Sequence, residues 1–146
     1  MAHIDDATLI AAARKAIERA YCPYSKFPVG AAILTEDGTI ITGGNVENAS
    51  YGGSICAERS AAVRAIAEGH RNFIAIAVVT ECKEPTPPCG FCRQFLMEFG
   101  DIKVIMASGK TDERLSTTLG ELLPQAFLPK ALEDFTAGNQ NKSNRE

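Results

Sequence analysis

Cys56-Ala57-Glu58 and Pro88-Cys89-Gly90-Phe91-Cys92 put three thiols and a carboxylate into two short, well-separated segments. If one ion takes all three sulfurs, any fold of this chain must bring both segments to a single point. A closed structural zinc site uses four protein ligands, whereas a catalytic one keeps three and leaves the fourth position to water. Cys56, Cys89 and Cys92 supply three, so one zinc per chain in an open centre is expected. Glu58, two residues after the first thiol, is then free to move protons beside the metal rather than bind it. Pro87 and Pro88 open a helix, so Cys89 and Cys92, three apart, share one face of its first turn. Cys56 falls at the start of another helix. Unpaired backbone N–H groups and the positive end of the helix dipole lie at such positions, and both favour thiolate over thiol.

Other uses of these cysteines are open to test. Cys-x-x-Cys alone also suits a thiol redox pair. A four-ligand structural zinc site needs one more donor, and Cys82 lies seven residues before Cys89, outside the usual spacing of two to four. Neither alternative requires a carboxylate beside Cys56, so Glu58 favours the catalytic reading. Cys22 and Cys82 read as small core residues, and His3 and His70 as solvent-facing.

The remaining composition narrows the function classes. A chain of 146 residues suits one domain. A formal charge of −3 gives no electrostatic reason to bind a nucleic acid. Five cysteines cannot all pair within one chain. No basic-then-apolar leader precedes Asp5 and Asp6, and the longest apolar stretch, Phe73 to Val79, is too short to span a bilayer. A reduced, cytoplasmic protein without membrane or nucleic-acid partners is the expectation.

The pattern of elements is that of an α/β fold. Asp5 or Asp6 caps a first helix with an apolar stripe of Leu9, Ile10, Ala13, Ala16 and Ile17. Val29 to Leu34 and Thr39 to Thr42 form a hairpin around Glu36-Asp37-Gly38. Ser54 is placed to cap a second helix, Cys56 to Glu68, that stops at Gly69. A buried strand over Phe73 to Thr80, a helix over Cys89 to Phe99, and strands over Ile102 to Ala107 and Arg114 to Thr118 follow. A short helix covers Leu119 to Phe127. The order α-β-β-α-β-α-β-β-α implies a single-domain, three-layer α/β/α sandwich around a mixed five-stranded sheet. The catalytic domain is expected over residues 1–130, with 131–146 a largely disordered tail.

Several segments together resemble the cytidine deaminases of the small, homotetrameric, tricysteine-zinc class. They are Tyr24-Ser25-Lys26-Phe27-Pro28-Val29-Gly30-Ala31-Ala32, Gly44-Asn45-Val46-Glu47-Asn48-Ala49-Ser50-Tyr51-Gly52, Cys56-Ala57-Glu58-Arg59, Pro88-Cys89-Gly90-Phe91-Cys92-Arg93-Gln94 and Leu122-Leu123-Pro124-Gln125-Ala126-Phe127. The resemblance implies hydrolytic deamination of cytidine and 2′-deoxycytidine, in pyrimidine salvage, with Glu58 as the proton carrier. It implies that Asn45 and Glu47 hold the ribose 3′-hydroxyl and that Phe27 stacks on the pyrimidine. Backbone groups of Ala57 and Cys89 would meet the base edge, and Arg59 would donate to the zinc-bound sulfurs. Ala49, Tyr51 and Phe127 would reach into a neighbouring subunit's pocket.

Two competitors remain from the sequence. A deaminase of the same fold could take another cytosine compound, such as blasticidin S; the Asn45-Val46-Glu47-Asn48 segment counts against it. A non-catalytic zinc or redox module would leave Glu58 without a use. Nucleic-acid-editing deaminases usually have His as first ligand, and a carboxylate at Glu47 would repel a 3′-phosphate.

Overall fold

Near-continuous apolar runs along three central strands dictate a sheet covered on both faces. The computed structural model describes residues 4–143, with side chains described through residue 140. His3 and residues 144–146 lie outside the described residues. The strands are β1 (Val29–Thr35), β2 (Ile40–Gly44), β3 (Phe73–Thr80), β4 (Lys103–Ser108) and β5 (Arg114–Thr118). They form one mixed sheet in the order β2-β1-β3-β4-β5, with β3 and β4 parallel and the other neighbours antiparallel.

Helix α1 (Asp6–Ala16) covers one face, burying Leu9, Ile10 and Ala13 against Ala32, Leu34, Ala75, Ala77, Val79, Ile105 and Ala107. Helices α2 (Ala57–Ala67), α3 (Gly90–Met97) and α4 (Leu119–Leu122) cover the other. There Ala61, Ala65, Leu96 and Leu119 meet Ala31, Ile33, Ile76, Val78, Val104 and Met106. Strands β1, β3 and β4 each send alternate residues to each core, as the period of two requires. Burying a side chain of the size of Ile33, Ile76 or Leu96 contributes about 1.5–3 kcal/mol. The expected three-layer sandwich is present.

Two glycines set how closely the helices approach. A Cβ on Gly30 would lie 2.0 Å from Ala13 O of α1, and one on Gly43 would lie 2.4 Å from Ala61 N of α2. Missing side chains at these points let both helix backbones press on the sheet. The start of α2, with Cys56 and Glu58, is thereby fixed against the sheet edge.

The local signals hold with some shifts. Asp5 caps α1, accepting from Thr8 N–H at 2.8 Å. Gly38, Gly69 and Gly100 take positive φ at the hairpin turn and after α2 and α3. Ser54 does not cap α2: its hydroxyl accepts from Asn48 N–H at 3.1 Å, and Cys56 occupies the N-cap position. Helix α4 ends at Leu122 rather than Phe127, because Pro124 disfavours helix at the residue before it and Gln125 adopts φ 53°.

The C-terminal stretch differs more. Where the sequence composition suggests a largely disordered tail from residue 131, the structure carries helix α5 (Pro129–Ser143). Pro129 suits a first helical position, and Lys130 Nζ meets Asp134 Oδ2 at 2.8 Å one turn on. Every residue from Lys130 to Gln140 is exposed, so local pairing rather than a core supports this helix. Among the described residues, no helix is long and apolar enough to cross a membrane.

Candidate metal centre and active site

Two helix starts converge at one point. Cys56 sits at the N-cap of α2 and Cys89 at the N-cap of α3, both with extended backbone, while Cys92 lies in the first turn of α3. Their sulfurs all lie within 4.8 Å of one another. Cys56 Sγ and Cys89 Sγ are 3.7 Å apart, as are Cys89 Sγ and Cys92 Sγ. Three thiolates at about 2.3 Å from a tetrahedral ion would stand about 3.8 Å from each other, so the spacing suits zinc. All five cysteines are free thiols. The soft sulfur donor set points to zinc rather than magnesium or calcium.

Arg59 and Arg93 brace this centre. An Arg59 terminal nitrogen donates to Cys56 Sγ at 3.7 Å, and its Nε is buried without a partner. Arg93 donates through Nε to Pro88 O at 2.7 Å and through a terminal nitrogen to Leu122 O at 2.9 Å. The loop that carries Cys89 is thus tied to α3 and α4.

Electrostatics sort the groups. Hydrogen bonding from the Cys92 thiol, with Arg59 and Cys89 beside it, brings the Cys56 thiol down to about 5. That same hydrogen bond to Cys56, together with burial and the nearby Glu58 carboxylate, pushes the Cys92 thiol far up. Glu58 is 4% exposed. Burial raises its pKa above the ordinary 4.5, and the Cys56 charge raises it further, against a hydrogen bond from Cys92. A buried carboxyl whose pKa is raised toward neutrality beside a candidate metal site is suited to carrying protons.

A second group gathers on the adjoining loops. Val46 exchanges N–H···O bonds with Ile55 at 2.9 and 2.8 Å, which fastens the Asn45–Glu47 segment to the residue before Cys56. The Asn45 amide accepts from Val29 N–H and donates to Phe27 O, both at 2.9 Å. Glu47 Oε1 accepts from Tyr24 and Ser25 N–H at 3.0 Å each. Bonds from the Ser25 side chain and backbone, then Tyr24, hold the Glu47 pKa below its ordinary value. Glu47 lines a cavity of about 300 Å³ with Tyr24, Ser25, Tyr51 and Ser54.

The other expected residues fall as follows. Ala57 is fully buried at the first position of α2. Phe27 is 42% exposed and so is not core packing. Tyr51, exposed, packs its ring 5.6 Å from that of Tyr24 in the same chain. Phe127 is exposed, and its carbonyl accepts from Gln94 Nε2 at 2.9 Å; Ala49 is exposed too. Neither Ala49 nor Phe127 lines the Glu47 cavity. Cys22 and Cys82 are half-buried rather than core, and His70 Nδ1 lies 3.4 Å from Asp37 Oδ2. Sequence reading gave no role to Tyr24, Ser25, Arg93 or Phe91. Hydrogen bonds from loop backbone and contacts between separate segments leave no spacing signal.

Comparison with known proteins places this geometry. The model of the cytidine and deoxycytidylate deaminase zinc-binding region matches residues 3–108. A cytidine deaminase of Halalkalibacterium halodurans is 48% identical over 133 residues, covering 90% of this chain and all of that protein. One from Sporosarcina psychrophila is 50% identical over 126 residues, 85% of this chain and 92% of that protein. The crystal structure of a cytidine deaminase from Burkholderia pseudomallei superposes with a TM-score of 0.81 at 48% identity, covering 85% of this chain and 100% of that one. With its metal-binding cysteine cluster and five-stranded mixed sheet, this chain belongs to the cytidine and deoxycytidylate deaminase family.

Proposed function

We propose that this protein hydrolyses cytidine and 2′-deoxycytidine to uridine and 2′-deoxyuridine, releasing ammonia, as a cytoplasmic enzyme of pyrimidine salvage. The observation that carries this reading is the juxtaposition of three sulfurs at tetrahedral spacing with one buried carboxyl, Glu58. Cys56, Cys89 and Cys92 hold the zinc. What zinc supplies when bound there is a water acidic enough to ionise near pH 7. Glu58 would take one proton from the attacking water and pass it to ring N3 as oxygen bonds to C4. It would then take the proton of the new C4 hydroxyl and pass it to the amine, so that C4=O forms as the C4–N bond breaks and ammonia leaves. One carboxyl serving twice explains why a second is not needed.

The loops supply recognition. Glu47, held ionised by its loop bonds, accepts the ribose 3′-hydroxyl, and the second amide hydrogen of Asn45 adds a donor. Phe27 stacks on the base, while the backbone of Ala57 and Cys89 meets its edge. A carboxylate at the 3′ position disfavours a 3′-phosphate and hence polynucleotides. The test is the loss of cytidine absorbance with zinc-analysed protein, beside blasticidin S and cytidine monophosphate. Cytidine turned over in strong preference supports the assignment; preference for blasticidin S would replace the substrate.

Glu47→Ala is expected to lower kcat/KM for cytidine about 10- to 100-fold, the effect of losing a charged hydrogen bond of about 1.5–3 kcal/mol. Zinc content should not change. Unaltered cytidine kinetics would remove Glu47 from ribose binding.

Assembly completes the proposal. Residues 1–130 form the catalytic unit, and four chains assemble so that Ala49, Tyr51 and Phe127 close a neighbour's pocket. Exposure of Tyr51 at 74% and Phe127 at 60% supports this, since both rings are open to a neighbouring chain. Mixing Tyr51→Ala with Glu58→Gln chains under subunit exchange should restore activity, because some mixed sites hold both native residues. A fully active monomer in dilution assays would show that each chain completes its own site.

A further inference from the structure

Phe91 stands between two of the cysteines in sequence, yet fills no core: it is 78% exposed. Its ring instead faces the other segment of the site. Arg59 Cζ lies 5.8 Å from the Phe91 ring centroid, within the roughly 6 Å range in which a cation is drawn to an aromatic face. The same guanidinium donates to Cys56 Sγ at 3.7 Å, and its Nε has no hydrogen-bond partner. The Cys92 sulfur also draws this guanidinium, but sulfur contacts are long and weak, and alone they fix a rotamer-rich side chain poorly. The ring provides a further hold.

We propose that Phe91 is a positioning residue, clamping the Arg59 guanidinium on the Cys56 sulfur and so slowing the release of zinc. This rests on the assignment of Cys56, Cys89 and Cys92 as the ligands. Partners that orient a metal's ligands affect how tightly the ion is held. The contact also joins α2 to α3 beside the ion, reinforcing the two segments that the metal itself ties. Leucine at position 91 would keep apolar bulk but lose the ring's negative face, whereas tyrosine and tryptophan keep it.

The experiment follows zinc released from the loaded protein to a chromophoric chelator. Phe91→Leu should release zinc about two- to five-fold faster, the size expected of one exposed cation–π contact. Phe91→Tyr should match the wild type, and Phe91→Trp should match it or release more slowly. In an Arg59→Met background, Phe91→Leu should have no further effect, as a coupled pair requires. Wild-type rates in Phe91→Leu would overturn the clamp. So would equal acceleration in all three variants, or full additivity with Arg59→Met. A wild-type protein that holds no zinc would defeat the ligand assignment and the clamp together; one that holds zinc with an indifferent Phe91→Leu defeats the clamp alone.

Discussion

Glu58→Gln is expected to lower kcat by about 10²–10⁴-fold, the contribution of positioned proton transfer, while leaving the fold and zinc content intact. The amide matches the carboxyl in shape and fits the same buried place at the start of α2. It cannot take a proton from water and return it. The substitution should also reveal what the native residue costs the metal-free protein. The Glu58 pKa is raised above 4.5, so folding binds a proton there. Native stability is therefore complete below about 4.5 and declines as pH rises through the raised value, where burying a charge becomes unfavourable. Metal-free Glu58→Gln should lack that decline and be the more stable protein at neutral pH. Denaturant melts of the two metal-free proteins at acid and neutral pH measure it. A variant with near-native kcat would remove Glu58 from the mechanism.

Cys89→Ala should have the largest effect on the molecule itself. It removes one of three sulfurs and leaves Cys56 and Cys92 on separate helices. Zinc content should fall to near zero and activity with it. A ligand that binds only the folded state stabilises it by about 3–4 kcal/mol at 100 to 1,000 times Kd. For a domain of this size, losing that much lowers Tm by about 10 °C. Metal analysis and a thermal scan, side by side with wild type, would check both parts. Zinc retained in full would show that the ion sits elsewhere.

The sequence was most legible where one physical rule governs. The apolar run in Phe73–Thr80 and the glycine after α2 placed elements to within a few residues. The cysteine spacing located the metal centre because ligands must converge whatever lies between them. Legibility failed where non-local bonds decide. Ser54 has the chemistry of a helix cap, but the nearby Asn48 N–H takes its hydroxyl. The resemblance gave Glu47 a ribose role, yet its bonds from Tyr24 and Ser25 follow from how two distant loops meet. Likewise, no periodicity could show that Phe91 faces an arginine from another helix. Polar composition suggested a disordered tail beyond residue 131, but Pro129 and the Lys130–Asp134 pair favour a helix there locally.

Reconstitution by zinc titration tests the central claim most directly. Metal-free protein would be titrated with zinc, and cytidine turnover measured at each step against bound metal. Activity should be absent at the start, rise in proportion to zinc, and level off at one ion per chain, with Glu58→Gln binding the same single ion silently. Cytidine turnover by the metal-free protein, or a plateau reached without zinc at the three cysteines, would contradict the account.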